Sequence, residues 1–304
     1  NKGSGKVAES VFIAGMFVLY SNEYARILSH LGLKEEEKEV LEAKKKMEEA
    51  TIQYGYDGEY FLRAYDASGK KVGSHENEEG KIFIEPQGFC VMAGIGHSLG
   101  YGKKALASAE KYLGCKYGLE LLSPAYHAYH VELGEISSYP PGYKENGAVF
   151  NHNNPWVTIA HCVEKEAEKA YALYIKNCPA FIEEESDVHY TEPYVYSQMI
   201  AGHEAANYGQ AKNSWLTGSA SWSLVALQEY LLGIRADYDG LIVEPCLPNK
   251  EYPYLHIQRK FRGNTYDIEI HNVPNASLYV NGEKIEGHLI PYKPQKEVIH
   301  VLMK

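Results

Sequence analysis

The sequence predicts a mainly α-helical chain over residues 1–238, of the α/α toroid kind, followed by a β-sandwich over residues 239–304. Three observations lead there. Apolar residues recur at helical spacing in several long segments of the first part. The helices come in pairs separated by long loops, and in an α/α toroid the loops at one end form the cleft. After Asp239-Gly240 the chain switches to short alternating runs, with Asn281-Gly282 as a hairpin turn signal.

Residues 7–31 place Val7, Val11, Ala14, Val18, Leu28 and Leu31 on a helical repeat that stops at Gly32. Residues 34–53 form a second expected helix; Glu35, Glu36 and Glu37 in its first turn suit the macrodipole, and its outer face is a solvated charge run. From Tyr56 to Ile84 the pattern alternates, with a turn at Asp66-Ala67-Ser68-Gly69 and a short strand at 81–84, so a β excursion is expected. Helices are expected at 86–98 and 103–113. The stretch 117–154 is a long loop containing Ser137-Ser138-Tyr139-Pro140-Pro141-Gly142, and loops of that length in a compact domain are usually functional. A helix is expected over 155–176, capped by Asn154, with Pro155 in its first turn and Trp156, Ile159, Ala160 and Val163 as its apolar stripe. Two more are expected at 193–205 and 219–232, the last stopping at Gly233. Strands at 241–243, 255–261, 265–271, 277–280 and 298–302 make the C-terminal part. Asn1-Lys2-Gly3-Ser4-Gly5 has the character of a loop interrupted in the middle, so the chain is expected to be part of a longer polypeptide.

Bulk properties exclude several classes. The net charge of −10 argues against a nucleic-acid surface, which needs a basic stripe. No apolar run approaches the length of a membrane span. The 5 Cys show no C-x-x-C spacing and are odd in number, which suits reduced thiols in a cytoplasmic protein. Tyr is heavily used, 26 residues against 8 Phe, which fits a polar-lined cleft and equally a Tyr-rich core with wet edges.

The chemistry concentrates in two stretches. Tyr143-Lys144-Glu145-Asn146-Gly147-Ala148-Val149-Phe150-Asn151-His152-Asn153-Asn154-Pro155-Trp156 packs charged and amide groups between aromatics, the mixture a sugar needs for its hydroxyls and its C–H faces. Lys212-Asn213-Ser214-Trp215-Leu216-Thr217-Gly218-Ser219 opens a helix at a small-residue turn. Free N–H groups and the dipole favour an anion there, although plain N-capping by Thr217 or Ser219 explains the same residues. His152 stands before another helix start, either as a donor to that anion or as a bonded loop histidine. Glu135, Lys144 and Glu145 are site candidates or ordinary surface charge; Tyr139 is a stacking platform or loop packing; Gln198 is a hydroxyl partner or a satisfied core amide. His127 and His130 have no accompanying metal-ligand motif, and there is no nucleophile elbow, P-loop or dinucleotide fingerprint, so no metal or cofactor is expected.

The chain resembles glycoside hydrolase family 94, the inverting β-glucoside phosphorylases. The resemblance is carried by Tyr139–Gly147, Phe150–Trp156, Glu192-Pro193-Tyr194-Val195-Tyr196-Ser197-Gln198-Met199-Ile200-Ala201-Gly202 and Lys212–Gly218. Glu76-Asn77-Glu78-Glu79-Gly80-Lys81 and Tyr238-Asp239-Gly240-Leu241 add to it. It implies an (α/α)6 barrel followed by a β-sandwich, and phosphorolysis of a β-linked glucose disaccharide, cellobiose, to α-glucose 1-phosphate and glucose. The alternatives are a phosphorylase for a related β-glucan or chitobiose, and an inverting β-glycoside hydrolase on the same barrel. It further implies that His152, Thr217 and Gly218 bind phosphate, that Glu145 and Gln198 hold the transferred glucosyl unit, and that Glu135, Tyr139 and Lys144 line the acceptor subsite. Inorganic phosphate is then a co-substrate. The family's general acid closes an Asp-Trp-Asn-Asp motif that this chain lacks; Gly3-Ser4-Gly5-Lys6-Val7-Ala8-Glu9-Ser10 fills the segment that follows it. The acid is therefore expected upstream of Asn1. The expected partners are sugar, phosphate, the upstream part of the same enzyme and a second copy in a homodimer.

Overall fold

The computed structural model describes residues 8–294 and 298–304. The Asn1–Gly5 loop and the helix start at Val7 expected from sequence lie outside the described residues. Strand β1 (Glu9–Ser10) passes directly into helix α1 (Val11–Leu31), where the Ser10 hydroxyl accepts the Ile13 N–H at 3.3 Å. Gly32 closes the helix in the left-handed conformation, its N–H bonding the Leu28 and Ser29 carbonyls. Helix α2 (Lys34–Tyr54) follows and packs on α1. One face of α1 buries Val11, Val18, Ala25 and Leu28, while Ile13, Phe17, Tyr20, Tyr24, Ile27 and Leu31 stand exposed along another.

The β excursion is present. Strands β2 (Ala64–Tyr65) and β3 (Lys71–Val72) join β1 in a small antiparallel sheet. Strand β4 (Ile82–Phe83) runs straight into α3 (Ile84–Met92), which accepts Pro86 in its first turn. The helix expected to reach residue 98 therefore ends early; a glycine-rich turn and a short 3-10 segment, His97–Leu99, lead into α4 (Tyr101–Leu113). Strand β5 (Gly114–Cys115) precedes the long loop, which holds the two-residue strands β6 (Gly118–Leu119), β7 (Leu122–Ser123) and β8 (Val149–Phe150) and the 3-10 segments Gly134–Ser138 and Asn151–Asn153.

Two helix expectations are corrected. The segment 155–176 is two helices, α5 (Asn154–Val163) and α6 (Ala167–Asn177), split at Lys165, whose φ is +62°. Asn154 is inside α5 rather than its cap. Its side chain holds the Leu119 backbone on both sides, accepting the N–H at 2.7 Å and donating to the carbonyl at 3.1 Å. Helical structure near 193–205 is confined to the single turn α7 (Ser186–His189) upstream of it. What forms instead is strand β9 (Ser197–Ile200), paired on one side with β8 and on the other with β10 (Ala211–Ser214). Sheet pairing on both edges satisfies this backbone, and Pro193 with Tyr194 at φ +63° opposes a helix there. Helix α8 (Ser219–Val225) continues as a wider π-helical turn, Ala226–Leu231, and Gly233 ends it.

Beyond Gly233 the described residues hold strands joined by turns and loops, with no helix among them. Strands β11 (Ile234–Ala236), β12 (Gly240–Val243), β13 (Tyr254–Phe261), β14 (Asn264–His271), β15 (Leu278–Val280), β16 (Glu283–Ile285), β17 (Leu289–Pro291) and β18 (Ile299–Met303) form two sheets, ordered β11-β12-β17 and β13-β14-β18-β15-β16. Leu241, Val243 and Ile290 of the first share one core with Tyr266, Ile268, Val301 and Met303 of the second. The helical part has its own core around Phe61, Phe83, Ile84, Leu106, Leu122 and Val157. The expected hairpin forms at Asn281-Gly282, both at positive φ as a two-residue turn requires.

Candidate functional site

The site is organised by the sheet β10-β9-β8. Phe150 pairs with Met199 and Ser214 with Ser197, so the end of β8, the start of β9 and the end of β10 meet at one edge. His152 follows β8, Gln198 lies on β9, and Thr217-Gly218 follow β10. Segments that lie far apart in sequence are thus brought together by backbone pairing alone.

Asn151 fixes that edge. Its Nδ2 donates to the Ser197 carbonyl and hydroxyl, both at 2.9 Å, and its Oδ1 accepts from Asn177 at 2.9 Å. His152 next to it sits among rings, 4.9 Å from Phe150 and 5.1 Å from Trp156 between centroids. Trp156 in turn meets Trp222 of α8 at 5.8 Å. The Trp222 N–H bonds the Gly218 carbonyl at 3.1 Å, so the helix opened by Gly218 is tied through Trp222 and Trp156 to His152. Burial lowers the pKa of His152, which favours the neutral imidazole. The indole Nε1 of Trp156 and the Asn153 Oδ1 are both sealed from solvent without a hydrogen-bond partner.

At the start of α8 the Thr217 hydroxyl accepts the Ser219 N–H at 3.1 Å and meets the Ser219 hydroxyl at 2.6 Å. The N-cap position is Gly218, and the Thr217 hydroxyl before it takes up one N–H, which leaves other first-turn N–H groups to an incoming acceptor. Gly218 has φ −82° and ψ 3°, a conformation open to any residue. A Cβ there would touch only Trp222, at 3.9 Å. Nothing in the described fold calls for glycine at this position.

The loop that carries the other candidates is knotted by Asn146, which is fully buried. Its Nδ2 donates to the carbonyls of Tyr126 and Tyr139, and its Oδ1 accepts the Tyr126 N–H, at 2.7–2.8 Å. Gly142 has φ +79°, and a Cβ would come 2.5 Å from the Ala205 nitrogen, so glycine is required there. Lys144, at φ +45°, donates its N–H to the Met199 sulfur at 3.1 Å, and its ammonium lies 5.2 Å from the Tyr139 ring centre. Lys144 and Tyr139 are thus together and next to β9. Gln198 is half-buried and accepts from Asn213 at 2.8 Å. Glu145 is half-buried with one carboxylate oxygen sealed and unpartnered. Glu135 stands apart, exposed on the 3-10 turn Gly134–Ser138, where its backbone carbonyl accepts a bond from the Ser138 hydroxyl. Sequence reading missed the fixing roles of Asn146 and Asn151; both stood in the polar stretch, but nothing in sequence separates a structural amide from a ligand-binding one.

Asn146→Ala is expected to cost roughly 3 kcal/mol, because it strips several hydrogen bonds from a buried backbone at once. Thermal unfolding checks it; a melting temperature equal to that of the unaltered chain would show that the loop is held by other contacts.

Aromatic-framed amides and carboxyls thus stand at one end of a small sheet, beside the start of α8. The profile of the Glycosyl hydrolase 94 superfamily, catalytic domain, matches residues 1–233, and the chain belongs to that family. It is similar to solabiose phosphorylase of Paenibacillus borealis, 31% identical over 95% of this chain and 38% of that one. An N,N'-diacetylchitobiose phosphorylase of Vibrio furnissii is 33% identical over 76% of this chain and 29% of its own length. Cellobionic acid phosphorylase of Neurospora crassa is 26% identical over 93% and 36%. The chain thus spans between 29% and 38% of the length of these relatives. Among solved structures a sialidase matches 93% of this chain and 26% of its own, with a TM-score of 0.56 at 13% identity, a likeness of fold alone. No described helix is long and apolar enough to cross a membrane.

Proposed function

We propose that this chain supplies the phosphate- and sugar-binding side of an inverting phosphorylase that cleaves a β-linked glucose disaccharide, with cellobiose as the substrate. The observation that carries the reading is the shared edge of β8, β9 and β10, which gathers His152, Gln198 and the Thr217-Gly218 helix start. Phosphate would sit between His152 and the Thr217-Gly218 turn. The helix start supplies N–H donors, and the His152 ring supplies one more. Glu145 and Gln198 would hold the transferred glucosyl unit, and Tyr139, Lys144 and Glu135 the departing sugar. An inverting hydrolase needs a second carboxylate to activate water. Phosphate is already an anionic nucleophile, so one proton donor and a cradle suffice. The donor would come from the upstream part of the enzyme. We read the helical part as a portion of an (α/α)6 barrel over 1–238, the rest as a β-sandwich over 239–304, and the assembly as a cytoplasmic homodimer; the described cysteines are all free thiols, which suits a reducing compartment.

The test is phosphate-dependent cleavage of a panel of β-linked disaccharides by the complete enzyme, with glucose 1-phosphate as the product followed. Cleavage at an equal rate without phosphate would replace this reading with a hydrolase. Within the same assay, run in the synthetic direction, Glu135→Ala should raise the acceptor KM several-fold, within about tenfold for one exposed polar contact, and leave the glucose 1-phosphate KM little changed. The reverse ranking would move the 134–138 turn to the donor side.

A further inference from the structure

Asn177 is a buried amide that the reading above does not use. It is the last residue of α6, a helix that packs against α5 and contributes none of the candidate site residues. It is 5% exposed. Its Nδ2 donates to the Asn151 Oδ1 at 2.9 Å, while its own Oδ1 is sealed from solvent without a donor. Asn151, 2% exposed, opens the 3-10 turn Asn151–Asn153 that carries His152. One group dictates how both amides point. The Ser197 carbonyl can only accept, so Asn151 turns its Nδ2 toward it, at 2.9 Å. The Asn151 Oδ1 then faces Asn177, which answers with its Nδ2. The Asn177 Oδ1 is left with nothing to accept. A buried acceptor without a donor is destabilising, and an apolar residue at the end of α6 would avoid it.

We propose that Asn177 is a positioning residue for His152: it locks the Asn151 amide in the one orientation that holds the Asn151–Asn153 turn against β9, and so sets the His152 ring at the anion-binding edge. The proposal rests on His152 as a phosphate-binding residue. The hydrogen bonds run in one line, from Asn177 to Asn151, from Asn151 to the Ser197 carbonyl and hydroxyl, and from that hydroxyl to the Met199 carbonyl at 3.0 Å. This line joins the end of α6 to β9, and the His152 backbone leaves from its middle. The Phe150 and Trp156 rings meet the imidazole edge-on and orient it, while Asn151 sets the backbone beneath it. Without the Asn177 donor the Asn151 oxygen is bare in the interior. The amide is then driven to turn toward another donor or toward water, which draws the turn off β9 and carries His152 with it.

The test uses the complete enzyme, inorganic phosphate as the probe, and two variants. Asn177→Leu keeps the branched shape and exchanges one unpaired buried acceptor for another, the Asn151 oxygen, so the melting temperature should change little. Asn177→Ala is smaller and carries the test if leucine does not fit. Both should raise the phosphate KM roughly three- to tenfold, the scale of one hydrogen bond, and leave the disaccharide KM within about twofold. In a His152→Ala background the same substitutions should add less than about twofold, because the ring they act through is gone. An unchanged phosphate KM overturns the proposal. So does a full further rise in the His152→Ala background, or an equal rise in the disaccharide KM, since either marks a general loosening. A ligand-free measurement separates this from the functional reading. The His152 ring signals, assigned by their loss in His152→Ala, carry the ring-current shifts of Phe150 and Trp156 and should move in Asn177→Leu or Asn177→Ala. Unmoved signals overturn the proposal. Moved signals in an enzyme whose turnover ignores phosphate uphold the positioning and sink the phosphate-binding role of His152 instead.

Discussion

Replacing Gly218 with valine should raise the phosphate KM of the complete enzyme by about tenfold or more, a loss of at least ~1.4 kcal/mol of anion binding, while the disaccharide KM changes little. The side chain meets no obstacle inside the fold, since a Cβ at this position touches only Trp222 at 3.9 Å. The backbone is equally permissive, with φ at −82°. A folding defect is therefore not expected, and the branched side chain occupies the space through which an anion approaches the N–H groups of the helix start. His152 gives a second reading of the same site. Burial keeps its imidazole neutral in the free protein, and a bound anion favours the imidazolium, so binding takes up a proton. Sulfate keeps its charge across this range, so its affinity should rise as pH falls toward the lowered His152 pKa, and His152→Ala should flatten that rise. Unchanged phosphate kinetics in Gly218→Val would place the anion elsewhere in the cleft and remove the main support for a phosphorylase over a hydrolase.

Much of the architecture was legible because local and global signals agree. Helices α1, α2 and α4 carry apolar repeats, capping residues or terminal glycines of their own, and the C-terminal strands β13, β14 and β18 alternate cleanly. Segments whose structure is imposed by partners were not legible. β9 lies in a run that sequence assigns to a helix, and it becomes a strand because β8 and β10 pair with it on both edges. The break between α5 and α6 depends on Lys165 adopting positive φ, which no lysine signals in sequence. At the site, the motif residues could be named in advance, but not the way they meet. The ring contacts His152–Trp156–Trp222, which connect the two helix starts, arise from packing between α5 and α8.

The chain by itself is expected to show no phosphorolysis, and adding the upstream part of the enzyme should restore it. On the proposed reading the general acid lies in the upstream part, and lacking it removes about 10²–10⁴-fold of rate, since nothing then assists the leaving group. The surface of α1 points to where that upstream part docks. Ile13, Phe17, Tyr20, Tyr24, Ile27 and Leu31 recur every third or fourth residue and are 40–63% exposed, a continuous apolar stripe on a helix whose other face is packed in the core. The chain covers only 38% of solabiose phosphorylase, so a like enzyme has ample further chain to cover this stripe. The occupant we assign is that upstream helical portion, packing against α1 as the next helix layer. Separately expressed halves make the test: mixing them should restore glucose 1-phosphate formation, and Phe17→Asp with Tyr24→Asp should abolish the recovery while the 304-residue chain keeps its own helical signal, since both side chains face away from its core. Robust turnover by the chain alone would mean that another carboxyl within it donates the proton. Full recovery with the double variant would mean that the stripe is covered by something else, a second copy of the chain being the alternative that sedimentation of the variant would reveal.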